Sequence, residues 1–120
     1  MRALIIDDDA NILAVCEHML RECGYEVSVT QDGNAGLAKI KADKNFDVLL
    51  TDVLMPGCDG LDVIKKIRED HPLLWVIAMS GGGSNVSGKF TLSASAAFGA
   101  DRILSKPFFE RDLKAALPKR

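Results

Sequence analysis

The chain has 120 residues, of which 48% are hydrophobic and 27% charged, and its net charge is −2. This composition is typical of one globular domain with a real core, so we predict a single domain over residues 1–120. The charge provides no basic surface for nucleic acid, no apolar run reaches the ~20 residues of a membrane-spanning helix, and Asp7 ends the first apolar run too early for a signal peptide.

Short apolar runs and helical patterns alternate through the first part of the chain. Residues 3–6 predict a buried strand, and residues 12–23 place apolar side chains at helical spacing before Gly24, a residue type that often ends helices. Residues 25–30 alternate between apolar and polar, as a half-buried strand does. A second helix is predicted to begin near Asp32.

The same alternation continues to the end of the chain. Residues 46–51 predict a third strand, and a third helical pattern follows and ends before Pro72. The remaining patterns predict a fourth strand, a glycine- and serine-rich stretch, a weaker helix, a fifth strand and a last helix, at residues 74–79, 80–88, 90–98, 102–104 and 109–117. Five strands that alternate with five helices predict a doubly wound parallel sheet with helices on both faces, because parallel strands need crossover connections.

The three cysteines are Cys16, Cys23 and Cys58, and they include no C-x-x-C pair. This pattern favours thiols packed in the core over a metal or redox site. It is also typical of a reducing, cytoplasmic setting.

Polar side chains follow four of the predicted strands, where the site of an open parallel sheet is expected. They are Asp7, Asp8 and Asp9 after the first strand, Asp52 after the third, Ser80 after the fourth and Lys106 after the fifth. Crowded carboxylates repel one another and therefore favour a hard cation, and oxygen ligands beside a phosphoryl group favour Mg²⁺.

The same set also suits phosphoryl transfer. Lys106 offers a point charge, Ser80 a hydroxyl donor and Asp52 a carboxylate nucleophile. The simpler alternative is that acids after strands only cap helices, as the three consecutive aspartates could do for the first helix.

Several segments resemble the receiver domain of response regulators in two-component signalling. The most specific is the D-x-x-M-P-x-x-D-G stretch at residues 52–60, and weaker matches lie at residues 4–9, 79–81, 99–101 and 105–108. The resemblance covers essentially the whole chain with these landmarks in family order. It implies a flavodoxin-like fold with strand order 2-1-3-4-5.

The resemblance also implies roles for the site residues. Asp52 is expected to accept the phosphoryl group, Asp8 to bind Mg²⁺ directly and Asp7 to do so through water. The backbone carbonyl of Leu54 would complete the metal ligands. Ser80 matches the switch hydroxyl and Lys106 the lysine that contacts the phosphoryl group, with a Lys106–Pro107 bond that is often cis in the family.

The partners implied are a histidine kinase or histidine phosphotransfer protein as donor. Downstream, the resemblance implies either a protein target that binds the face formed by the fourth helix, fifth strand and fifth helix, or a covalent output domain outside this chain. Direct nucleic-acid binding and membrane insertion are not expected. The chain is expected to be a cytoplasmic signalling domain rather than an enzyme, with only self-catalysed gain and loss of phosphate.

Two features depart from the family pattern. Ile103 stands where many receivers have Tyr or Phe, so a switch based on a rotating aromatic ring is in doubt. The stretch after the fourth strand is rich in glycine at residues 81–83 and longer than usual, which predicts an irregular or mobile fourth helix.

Two alternatives remain open from the residues. A degenerate receiver would serve only as a protein-docking module. A haloacid-dehalogenase-type phosphotransferase would use the D-x-D pattern of residues 7–9, although Asn11 stands where those enzymes have Thr or Val. That enzyme would depend on Asp9, whereas a receiver depends on Asp52.

Overall fold

The computed structural model describes residues 1–55, 58–80 and 99–119 of the chain. The predicted loop residues Pro56 and Gly57, the glycine-rich stretch 81–88 and the predicted helix 90–98 lie outside the described residues. The described helices and strands are, in chain order, β1 Arg2–Ile6, α1 Ala10–Glu22, β2 Glu26–Thr30, α2 Gly33–Ala42, β3 Val48–Asp52, β4 Leu54–Met55, β5 Cys58–Asp59, α3 Gly60–Asp70, β6 Trp75–Ser80, β7 Arg102–Ser105 and α4 Glu110–Ala116.

The predicted elements that fall on described residues agree with these in kind and order, although most bounds differ by a residue or two; Ser80, for example, is the last residue of β6 and does not follow the strand. Two further differences concern the candidate site. β3 extends one residue further than predicted, because Asp52 still pairs with Met79 of β6. The site carboxylate is therefore the last residue of a strand, not a residue beyond it. The antiparallel hairpin of β4 and β5, in which Leu54 pairs with Asp59, was not predicted, because two-residue strands are too short to carry a periodic pattern.

Five strands form one parallel sheet in the order β2-β1-β3-β6-β7. Because β4 and β5 form a separate hairpin, this order confirms the predicted order 2-1-3-4-5. All five strands end at the same edge of the sheet, and the strand order reverses between β1 and β3. In open sheets of this kind, a crevice forms beyond the carboxyl ends of the strands at this reversal.

The core lies on both faces of the sheet, as predicted. In β1, Ala3 and Ile5 pack on one face with α1 and α4, whereas Leu4 and Ile6 pack on the other face with α2 and α3. Cys16 of α1 is fully buried in the first of these layers, in agreement with its predicted packing role. Burial, with a smaller contribution from the nearby charge of Asp7, raises the pKa of the Cys16 thiol to about 11.

Helix ends follow local sequence signals. The side chain of Asp9 caps α1 by accepting from the Asn11 N–H at 2.9 Å, and Asp32 caps α2 by accepting from the Asn34 N–H at 3.0 Å. Gly24 follows α1 with a φ of +90°, a backbone conformation that glycine adopts without strain. Among the described helices, none has both the length and the apolar character needed to cross a bilayer.

Gly36 of α2 allows close packing against the sheet, and we expect Gly36→Ala to destabilise the fold. A Cβ at this position would overlap the Ile6 side chain and lie 3.5 Å from Thr30 Cγ2. Alanine normally stabilises a helix interior by roughly 0.5–1 kcal/mol relative to glycine, but overpacking costs about 1–3 kcal/mol and should prevail here. Thermal unfolding should show a lower Tm, while Ala38→Leu, which enlarges an exposed position of the same helix, should change it little. An unchanged or higher Tm for Gly36→Ala would contradict this packing.

Asp43 should contribute a pH-dependent part of the stability. Its carboxylate accepts from the Asn45 N–H at 2.9 Å and from Arg2 Nη1 at 2.5 Å, and these contacts, the backbone bond first, lower the pKa of Asp43. A carboxyl whose pKa is lowered by folding stabilises the fold above its usual pKa, and this contribution is lost as the pH falls through the folded pKa. In denaturant unfolding, the free energy of unfolding of Asp43→Asn should therefore fall less than that of the parent as the pH is lowered from about 5 to about 3. Glu69→Gln, at an exposed site, is the control and should behave like the parent. Equal losses of stability in the parent and in Asp43→Asn would refute the pH-dependent contribution of Asp43.

Candidate functional site

Three acids meet at the crevice beyond β1 and β3. Ile6 of β1 pairs with Thr51 of β3, so the residues that follow each of them come together at the sheet edge. The carboxylates of Asp7, Asp8 and Asp52 offer oxygen atoms that all lie within 4.8 Å of one another. Asp7 and Asp52 are buried, whereas Asp8 is exposed. The structure thus brings together the three side chains that the sequence predicted as metal ligands.

Backbone contacts hold Asp7 in this position. Its N–H donates to the Thr30 carbonyl of the neighbouring strand at 3.1 Å, and its Oδ1 accepts from the Asp9 N–H at 2.9 Å. Asp9 uses its own carboxylate to cap α1 and is not one of the three clustered acids. The simpler interpretation, an acid that only caps a helix, therefore applies to Asp9. Because its carboxylate is used in this way, the structure does not favour a D-x-D enzyme, which would depend on Asp9.

Lys106 follows β7 and reaches the same acids. Its Nζ lies 2.5 Å from Asp7 Oδ2 and 3.4 Å from Asp52 Oδ2. Burial by itself lowers the pKa of the Lys106 ammonium, but the hydrogen bond to Asp7 and the charge of Asp52 outweigh it and hold the pKa above its usual value. The peptide bond between Lys106 and Pro107 is cis, as expected from the sequence.

Ser80 ends β6 beside this cluster and is fully buried. Its Oγ has no hydrogen-bond partner among the described residues. A buried hydroxyl without a partner typically costs ~1–3 kcal/mol, so such groups are uncommon away from functional sites. At the carboxyl edge of the sheet, the hydroxyl can donate to an oxygen of a bound ligand.

The residues present fit the predicted magnesium site. The donors are carboxylate oxygens, which suit a hard cation, and three such carboxylates lie close together in this part of the described chain. The fourth predicted ligand, the carbonyl of Leu54, belongs to the hairpin strand β4, and its role stays a prediction. The switch position, Ile103, lies half-buried in β7 opposite Ala78, and its role also stays a prediction.

The direct ion pair between Asp7 and Lys106 was not predicted. The sequence suggested that Asp7 would act on a cation through water and that Lys106 would serve the phosphoryl group. The two residues are 99 positions apart, and no local pattern connects them. Only the assembled sheet, with β1 inside and β7 at its edge, brings them within hydrogen-bond distance.

Comparisons with known proteins agree with this architecture. The sequence profile of the response regulator receiver domain matches residues 3–118. The transcriptional regulatory protein CpxR of Klebsiella pneumoniae is 34% identical over 116 residues, which are 97% of this chain and 47% of CpxR. The chain thus spans about half the length of the curated relatives that it matches first.

Solved structures show the same likeness. A response regulator receiver domain protein (CheY-like) from Methanospirillum hungatei superposes with a TM-score of 0.83 at 32% identity, covering 95% of this chain and 87% of the other. A response regulator receiver domain protein from Clostridium thermocellum superposes with a TM-score of 0.86 at 30% identity, covering 96% and 89%.

The ammonium of Lys106 should oppose binding of a divalent cation by the acids. We expect Lys106→Met to bind Mg²⁺ roughly tenfold more tightly in the absence of a phosphoryl donor, because like charges ~4 Å apart repel by about 1–4 kcal/mol. Isothermal titration calorimetry measures this affinity, after circular dichroism has confirmed that the variant is folded. Lys114→Met, which removes an exposed lysine paired with Glu110, should leave the affinity unchanged. Unchanged or weaker binding by Lys106→Met would show that the lysine does not oppose the metal.

Proposed function

The chain belongs to the response regulator receiver domain family, and from this membership and its acidic crevice we propose that it is a phosphoacceptor switch of a two-component system. Asp52 is the proposed acceptor. The observation that carries the proposal is the convergence of Asp52 with Asp7, Asp8 and Lys106 at one sheet edge, beside the Ser80 hydroxyl, which has no hydrogen-bond partner among the described residues.

Asp52 suits the acceptor role better than the other two acids. Its strand, β3, lies between β1 and β6, and the next residue, Val53, donates its N–H to the Met79 carbonyl at 3.0 Å, so the backbone around Asp52 is firmly held. Lys106 lies closer to Asp7 than to Asp52, and so it neutralises Asp7 more strongly. A rigidly placed carboxylate can meet an incoming phosphorus atom without the cost of ordering the nucleophile.

The proposed donor is a phosphohistidine on a histidine kinase or histidine phosphotransfer protein. A carboxylate oxygen of Asp52 attacks the phosphorus atom, the P–N bond breaks, and its electron pair returns to the imidazole nitrogen of the donor, which takes a proton from water. Lys106 stabilises negative charge on the phosphoryl oxygens, and Ser80 donates a hydrogen bond to one of them. Attack of water on the phosphorus later releases inorganic phosphate and restores Asp52.

Asp7, Asp8 and Asp52, with the carbonyl of Leu54, would hold Mg²⁺. When bound, the ion supplies charge neutralisation that lets a phosphoryl group approach three carboxylates. The oxygen-only donor set and the excess of carboxylates over the ammonium support this assignment. Asp7, which is fully buried, would act from the inner side of the site and Asp8 from its exposed side.

The output is proposed to be a shift between two conformations. A change from 1:99 to 99:1 needs about 5.5 kcal/mol of differential stabilisation, which new contacts of Ser80 and Lys106 to the phosphoryl group would provide in part. Because Ile103 replaces the aromatic residue of many receivers, we propose that the shift does not use a rotating aromatic ring at this position. The downstream partner would be a protein target or an output domain outside the 120 residues. We propose that these 120 residues form one domain of a cytoplasmic protein.

Acetyl phosphate provides a direct test. With Mg²⁺ present, we expect intact mass spectrometry to show one added phosphoryl group on the parent chain and fragment spectra to place it on Asp52. Asp52→Ala should remain unlabelled, while Asp32→Asn, whose asparagine can still cap α2, should be labelled like the parent.

Labelling of Asp52→Ala at the parent rate would refute the assignment of Asp52. A parent chain that binds Mg²⁺ but is never labelled would favour the docking-module alternative. Labelling that depends on Asp9 and not on Asp52 would favour the dehalogenase-type enzyme.

A further inference from the structure

The register of β7 on β6 determines where the Lys106 ammonium lies. β7 has four residues and, in the described sheet, one neighbouring strand. Its two inner residues, Ile103 and Leu104, are both apolar, so a shift by one residue would still present one apolar side chain to each face. Such a shift would move Lys106 by roughly 3.3 Å and reverse its direction. The hydrophobic pattern therefore specifies this register only weakly.

Asp101 binds β6 at two points directly before β7 begins. Its N–H donates to the Val76 carbonyl at 2.7 Å, and its Oδ2 accepts from the Val76 N–H at 2.8 Å. The residues on either side are Ala100 and Arg102, and neither has an acceptor that could replace the carboxylate. A shifted register would therefore lose the side-chain bond and leave the Val76 N–H without this partner.

Arg68 of α3 holds the Asp101 carboxylate in place. Its Nη2 lies 2.8 Å from Asp101 Oδ2, and its other bonds go to the carbonyls of Pro72 at 2.6 Å, Leu74 at 2.7 Å and Gly99 at 2.7 Å. The Arg68 side chain is only 23% exposed, so water competes weakly for these bonds. One guanidinium thus joins the end of α3, the turn before β6 and the segment that leads into β7.

The opposite end of β7 is fixed next to the candidate site. The Lys106 N–H donates to the Ser80 carbonyl at 2.8 Å, and Ser105 pairs with Ser80. Only the four residues of β7 lie between Asp101 and Lys106. The hydrogen bonds of Asp101 to Val76 therefore closely constrain where Lys106 lies.

We propose that Asp101 and Arg68 are positioning residues that set the register of β7 and thereby place Lys106 against Asp7 and Asp52. The functional value of this placement rests on the proposed phosphoacceptor role. The placement of Lys106 by Asp101 and Arg68 does not depend on that role, and it can be measured without phosphorylation.

The test measures how well Lys106 is protected from an amine-acylating reagent. Its side chain is 13% exposed in the parent and bonded to Asp7, so it should react slowly, and exposed Lys114 in the same molecule is the internal reference. Peptide mass spectrometry, well below the Tm of each variant, gives the two rates. In Asp101→Ala and Arg68→Met, the rate of Lys106 relative to Lys114 should be roughly tenfold higher than in the parent. A tenfold increase corresponds to the loss of about 1.4 kcal/mol of local stability.

Two further variants distinguish a change in the register of β7 from a general loss of stability. Asp101→Asn keeps an oxygen acceptor for the Val76 N–H and should protect Lys106 almost as well as the parent does. Arg2→Met removes another aspartate-paired arginine, at the start of β1, but β1 has a neighbour on each side, so protection of Lys106 should not change. If Asp101→Ala or Arg68→Met does not fold, Arg68→Lys, which cannot make the same fork of bonds, should show the same effect more weakly.

Lower Tm values with unchanged protection of Lys106 would overturn the proposal, because Arg68 and Asp101 would then only stabilise the fold. Equal loss of protection in Arg2→Met would overturn it as well. Failure of the parent to accept phosphate from acetyl phosphate would refute the proposed function and leave this result intact.

Discussion

The buried carboxylate of Asp7 requires a positive partner, and this requirement connects β1, inside the sheet, to β7 at its edge. Asp7 has no solvent exposure, and a buried ion pair that loses one partner typically costs about 3–5 kcal/mol. Lys106 provides the charge from the end of β7, on the opposite side of β3 and β6. The pair of Asp7 and Lys106 therefore forms only when β1 and β7 belong to the same assembled sheet.

The sheet divides the site residues by how firmly they are held. Asp52 belongs to β3, which has a strand on each side, whereas Lys106 follows β7, which is an edge strand. Ser80 ends β6, which also has a strand on each side, but one of these neighbours is the edge strand β7. This arrangement would suit the proposed switch, because the proposed nucleophile, Asp52, would keep its position while groups nearer the edge adjust to new charge.

The crevice contains features that oppose stability. Three carboxylates lie within 4.8 Å, and a buried hydroxyl has no partner among the described residues. The two apolar layers on the faces of the sheet offset this cost, since β1, β3 and β6 are almost entirely buried. Departures from packing rules that concentrate at one place mark a functional site more reliably than any single residue there.

Sequence patterns alone were enough to predict the local elements and to select most of the candidate site residues. Apolar periodicity located the strands and most of the described helices, Asp32 and Gly24 marked helix ends, and parallel topology implied that Asp7, Asp8, Asp52, Ser80 and Lys106 would share one edge. These inferences depend on neighbours in the chain or on a general rule about strand ends. Only the three-dimensional fold shows that Lys106 pairs most closely with Asp7 and that Arg68 and Asp101 bind each other beside the start of β7. Such contacts join residues up to 99 positions apart through particular side-chain directions, and no periodic pattern in the sequence encodes these.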